Sequence, residues 1–218
     1  MIMKLFKNKN KLKGWNDVTL RQWKQIESLL KEPHDNTTSI ELISVLYGDT
    51  AIDLKYADFV KKYSKALDFL STEVPKVNLK DTYILNGRKY ESNFKLTEVK
   101  TVQMVDFMNI SKSNPEYERL LSVFFTPEGH QYNDGYDLQQ LQNDLLELPL
   151  PVVLTASFFF IKQLELFSQI ILSYLKGQMK NLTKEQQKTL NNSLKELDLN
   201  NLVSCLSYYN TAKLQMKH

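Results

Sequence analysis

Residues able to do acid–base, nucleophilic or metal chemistry are few and scattered in this chain. The histidines are His34, His130 and His218. None stands four residues from another or beside the single cysteine, so the spacing of a zinc site is missing. Cys205 sits in Leu202-Val203-Ser204-Cys205-Leu206, where a small buried hydrophobe is expected. A lone cysteine forms no internal disulfide, which fits a reducing compartment. There is no Walker A sequence, no G-x-G-x-x-G and no G-x-S-x-G. Only the loop from Pro127 to Asp137 gathers such groups, with Glu128, His130, Asp134 and Asp137. It lacks the alternating carboxylates of a calcium loop. Turn chemistry accounts for Asn133-Asp134-Gly135, and Asp137 is placed to cap the next helix. Two tyrosines in this loop, Tyr132 and Tyr136, suit a protein contact, where a ring buries area while its hydroxyl stays bonded. The expectation is a non-enzymatic protein with no catalytic, cofactor-binding or metal-binding residue.

Composition narrows the partners. Lys+Arg 28 against Asp+Glu 25 in 218 residues leaves a net charge of +3. That bias is too small to imply a nucleic-acid or anionic-membrane partner. Lysines at 4, 7, 9, 11 and 13, interleaved with Leu5, Phe6 and Leu12, form a basic leader. It reads as a solvated terminus, the alternative being an electrostatic arm for nucleic acid or an acidic protein. Hydrophobic residues at 42% and charged residues at 24% describe a globular chain. Its length suffices for a core without disulfides. With Gly only 6, few tight turns are expected and helices are favoured.

The elements follow from periodicity. Thr19 is a helix N-cap, with Leu20, Trp23, Ile26, Leu29 and Leu30 at helical spacing behind it. A second cap lies in Asn36-Thr37-Thr38-Ser39, and Gly48 closes that helix. Leu54 to Leu70 gives a third helix, with Tyr56, Phe59, Val60, Tyr63, Leu67 and Leu70 on one side. Asn86-Gly87 between β-favouring flanks is a strong hairpin signal, so Leu79 to Phe94 reads as a two-stranded hairpin. A lone hairpin is marginal in water and must lie on helices or pair with another chain. Helices are then expected over Thr97–Ile110, Glu116–Phe125 and Leu138–Leu146, and a long one from about Val152 to Met179. Two more are expected over Thr183–Leu197 and Leu199–Met216.

The long helix is apolar nearly all round, which marks it as central to the fold. Phe159, Ile161, Leu164 and Ile171 are expected in the core, and Phe158 and Phe159 are candidate partner contacts with Tyr132 and Tyr136. The uncharged stretch from Leu148 to Ile161 is 14 residues where a spanning helix needs about 20; Pro149 and Pro151 break its first turn, and extending it means crossing Lys162 and Glu165. Val18–Ile26 resembles Lys100–Met108, and Glu41–Tyr47 resembles Arg119–Phe125, at nearly the same offset. The fold class is therefore mainly α, a helical bundle readable as two related helical units joined by one β-hairpin. The divisions are 1–14, a basic leader; 15–78, an N-terminal helical unit; 79–96, the hairpin; and 97–218, a C-terminal helical unit around the long helix.

One order of features carries a resemblance. Thr19-Leu20-Arg21-Gln22-Trp23 is followed by the Asn-Gly hairpin and by Leu120-Leu121-Ser122-Val123-Phe124-Phe125-Thr126-Pro127. Then come Tyr132-Asn133-Asp134-Gly135-Tyr136-Asp137 and Leu148-Pro149-Leu150-Pro151, leading to Phe158-Phe159-Phe160. Over residues 15–175 this looks like small virion-assembly proteins of tailed bacteriophages infecting gut Bacteroides-type bacteria, and is similar to tail assembly chaperones. The resemblance implies a helical protein that binds tape-measure or tail-tube subunits in the host cytoplasm during assembly and has no catalytic residues. The alternative is a structural component of the virion: tail, connector or capsid-associated. The implied partners are other phage structural or tail proteins, with no small-molecule substrate, nucleic acid or membrane. A small enzyme acting through the Glu128–Asp137 loop, or a nucleic-acid binder using the basic leader, are the remaining classes.

Overall fold

The computed structural model describes residues 14–32, 35–48, 51–95, 98–111 and 116–160. The basic leader, His34, Cys205, His218, the core candidates Ile161, Leu164 and Ile171, and the two C-terminal helix readings lie outside the described residues. What is described is mostly helical, with a small antiparallel sheet.

A short 3-10 turn, Trp15–Asp17, leads into α1, Leu20–Lys31. Thr19 caps α1 as its sequence predicts, and the cap is reciprocal. The Thr19 hydroxyl accepts from the Gln22 N–H, and the Gln22 side chain accepts from the Thr19 N–H. The next unmet donors of this helix end are satisfied from far along the chain. Leu20 N–H donates to the Leu148 carbonyl at 2.9 Å and Arg21 N–H to the Leu146 carbonyl at 2.8 Å. In return, Leu150 N–H donates to the Val18 carbonyl at 2.8 Å.

Helix α2, Asn36–Tyr47, starts one position earlier than the expected cap cluster. Asp35 is the N-cap, its carboxylate accepting from Thr38 N–H at 2.8 Å, and Gly48 closes the helix in the left-handed region as expected. Helix α3, Tyr56–Leu70, uses less of its apolar side than periodicity suggests: Ala66 and Leu70 are buried, whereas Tyr56, Val60 and Leu67 are exposed.

Strands β1, Thr82–Leu85, and β2, Arg88–Ser92, form the expected hairpin, with Asn86 and Gly87 both at positive φ as its two-residue turn requires. The hairpin is not two-stranded. Helix α4, Thr101–Ser111, is followed by α5, Tyr117–Leu121, which ends well before Phe125. Phe125–Pro127 becomes β3 and pairs antiparallel with β2. Sheet pairing overrides the helical pattern here because it places Phe125 fully inside the core. Pro127, which lacks an N–H, is tolerated on an edge strand. The Arg119–Phe125 segment thus departs from its sequence counterpart Glu41–Tyr47, which stays helical. Helix α6, Leu138–Leu145, is capped by Asp137 as expected, and residues 150–160 form the described part of helix α7.

Two apolar clusters result. The larger gathers Phe107, Phe124, Phe125, Leu141, Leu145 and Phe160, with Tyr90 and Leu85 of the hairpin. The smaller gathers Trp15, Trp23, Ile26, Leu42, Leu46 and Leu70, and takes Leu150 from α7. Phe160 is 2% exposed and stacks on Phe124, while Phe159 is half-buried. The fully buried phenylalanine of the triplet is therefore one position beyond the expected one.

Candidate functional site

An open groove of about 630 Å³ lies where the hairpin meets the loop after β3. Phe124 and Gln103 line it together with Ser92, Lys100, Gln131 and Tyr132. Gln103 is buried because both ends of its amide are used: Nε2 donates to the Val123 carbonyl at 2.8 Å and Oε1 accepts from Lys100 N–H at 3.0 Å. Lys100 Nζ donates to Gln131 Oε1 at 3.0 Å, tying the start of α4 to the loop. The Tyr132 hydroxyl donates to Asp106 Oδ2 at 2.8 Å. Burial, reinforced by that carboxylate, pushes the Tyr132 hydroxyl far above the ordinary phenol range.

Of the charged loop residues singled out by sequence, His130 lines the groove, whereas Glu128, Asp134 and Asp137 are not part of its lining. His130 Nδ1 stands 3.5 Å from Asp134 Oδ2. Glu128 pairs with Lys89 on β2, and Asp137 caps α6. Lys95 lies 3.9 Å from Asp81 and 3.7 Å from Glu98, one cation between two carboxylates at the rim. Among the described residues no three His, Cys, Asp or Glu side chains are placed to hold a metal ion. Tyr136 is half-buried against the larger cluster, edge-on to His130, and burial raises its hydroxyl pKa. Phe158 is half-buried with Lys76 Nζ 5.5 Å above its ring. Phe159 meets Phe160 edge-to-face. Of the candidate contacts, Tyr132 lines the groove, Tyr136 packs on the larger cluster beside His130, and Phe158 and Phe159 are on α7. Helix α4, which gives Gln103 to the groove, also leaves Val102 and Val105 exposed.

Two polar clusters escape a linear reading. Asp144 of α6 is 1% exposed and collects four donors. Asn86 Nδ2 (2.8 Å) and Gln140 Nε2 (3.0 Å) reach Oδ1, while Arg88 NH1 (2.9 Å) and the Tyr90 hydroxyl (2.5 Å) reach Oδ2. Burial alone would raise the Asp144 carboxyl, but the hydrogen bonds from Asn86, Tyr90 and Arg88 outweigh it and hold it below the usual range. Tyr90 is pushed up to about 12 by burial and by that carboxylate. Arg88 and Tyr90 alternate on one face of β2, a period-2 polar pair that could have signalled a buried acceptor.

The second cluster joins α1 to α5. Lys24 Nζ donates to Glu118 Oε1 at 2.6 Å and to Glu116 Oε2 at 2.8 Å. Glu118 is buried, and its Oε2 has no donor. Burial, then the neighbouring Glu116, raises the Glu118 carboxyl, while Glu116 is lowered by its hydrogen bond with Glu118 and by Lys24.

Fold and site together define a mainly helical protein with a three-stranded antiparallel sheet and a polar groove whose ionisable groups are bonded internally. No protein-family model, curated protein or solved structure matches the chain. Among the described residues no helix is long and apolar enough to cross a membrane.

Proposed function

We propose that this is a non-enzymatic protein of a tailed bacteriophage, acting through protein contacts in tail or virion assembly in the manner of a tail assembly chaperone. The observation that carries the reading is the groove beside α4. Polar groups of its lining are bonded within the chain, through Lys100–Gln131, Gln103–Val123 and Tyr132–Asp106, while α4, which gives Gln103 to the groove, leaves Val102 and Val105 exposed on other sides of the helix. Such a surface offers shape and apolar area to a partner. The order of sequence features shared with tail assembly chaperones supports the phage context.

The test combines affinity capture from infected cells with mass spectrometry of purified particles. Capture of tape-measure or tail-tube subunits, absence from particles and loss of capture with Val102→Glu/Val105→Glu is the expected result. Turnover of a small molecule by a protein that captures no phage subunit would refute it.

A further inference from the structure

Helix α3 carries a second line of side chains beside the face it buries. Ala57, Val60, Ser64, Leu67 and Ser71 recur at alternating steps of three and four, and all are exposed, Val60 at 45% and Leu67 at 42%. Steps of three and four are the spacing of a coiled-coil seam. The buried positions Ala66 and Leu70 lie on the adjoining side of the helix, Leu70 one turn from Leu67, so the seam runs along the border of the buried side. Lys61 and Asp68 flank the seam on one side, both exposed, and neither has an ion-pair partner among the described residues.

We propose that this seam pairs α3 with the α3 of a second copy of the chain, antiparallel about a two-fold axis. The argument is complementarity of size and of charge. With Leu67 opposite Ser64 of the second copy, and Val60 opposite Ser71, each layer sets a large side chain on a small one, and symmetry repeats every layer. In that register Lys61 lies within one turn of Asp68 of the second copy, giving two ion pairs. Sliding the helices by one heptad still opposes large and small, through Val60 on Ser64 and Leu67 on Ala57, but brings Lys61 against Lys61. Charge therefore selects the first register, as flanking charges do in antiparallel helix pairs. An unrelated apolar helix would gain the same burial from Val60 and Leu67, but nothing in α3 would require it to carry acid and base in this order. A seam of one helix is small beside the roughly 1,200–2,000 Å² of stable specific interfaces, so the dimer is concentration-dependent. The seam is separate from the groove, and neither proposal depends on the other.

The experiment is sedimentation equilibrium of the full chain over a wide concentration range at low and high salt. The mass is expected to move from monomer to dimer, with weaker association at high salt. Lys61→Glu and Asp68→Lys should each weaken dimerisation by about tenfold, since each turns two attractive pairs into repulsive ones. The double variant Lys61→Glu/Asp68→Lys should restore it. Both positions are exposed, so thermal melts of all three variants should match the unaltered chain. A chain that stays monomeric at every concentration overturns the proposal. So does self-association that ignores the single reversals, or that the double reversal fails to restore.

Discussion

Replacing Asp144 by alanine tests whether the buried carboxylate pins the hairpin to α6. The substitution removes the acceptor of four hydrogen bonds and leaves the Tyr90 O–H, on a residue 2% exposed, without its acceptor. Leaving a buried donor unsatisfied costs ~1–3 kcal/mol. Arg88 and Asn86 are exposed and regain water, so most of the loss comes from Tyr90 and Gln140. Tyr90→Phe removes one donor and leaves the carboxylate three, so its cost should be about 1–2 kcal/mol. The double variant should be less damaged than the sum, because the orphaned hydroxyl is gone. Urea unfolding followed by circular dichroism gives all three values, with an unchanged slope confirming that only stability moved. The pH dependence has a definite sign. A carboxyl lowered in the folded state stabilises above its unfolded pKa, and that contribution is lost as pH falls through the folded value. The gap between the unaltered chain and Asp144→Ala should thus be steady near neutrality and narrow in acid, below the ordinary carboxylate range. A cost below ~1 kcal/mol, or strict additivity with Tyr90→Phe, would refute the reasoning.

Phe160→Ala should cost ~3–5 kcal/mol because the ring stacks on Phe124 inside the core, and the half-buried Phe159→Ala distinctly less; thermal melts that rank them the other way would contradict this packing. Glu118→Gln should match the unaltered chain in acid and become the more stable of the two as pH rises. A raised carboxyl is stabilising only while protonated, and its contribution is lost as pH climbs through the folded pKa. Urea midpoints measured for both proteins across that range decide it.

Local signals were read well where one residue type settles the backbone. Thr19, Gly48, Asn86-Gly87 and Asp137 each act at the expected place, because caps and two-residue turns are decided by a few neighbouring atoms. Phe125 was misassigned because a run of large apolar residues suits a buried helix or a buried strand equally. Only the partner strand β2 resolves it. The hidden positions Asp144, Glu118 and Gln103 have the same origin. Each is an ordinary polar residue in a helix, and its burial depends on a hydrogen-bond partner supplied from a distant segment. Tyr132 was legible as a loop tyrosine, but its bond to Asp106 on α4 was not.

The exchange of backbone hydrogen bonds between residues 18–21 and 146–150 bears on how the chain acquires its structure during synthesis. The Arg21–Glu147 side-chain bond at the same junction spans 126 residues. Until the segment around Leu148 has left the ribosome, the first turn of α1 holds donors that only water can meet, and the smaller cluster lacks Leu150. Helices α1 to α3 therefore emerge early yet wait for the last described helix to complete them. Loop-closure entropy must be paid before this long-range contact forms, which makes the junction a late step in folding. A nascent chain stalled before Pro149 would present the Trp15–Trp23 side of α1 to whatever apolar surface is nearest.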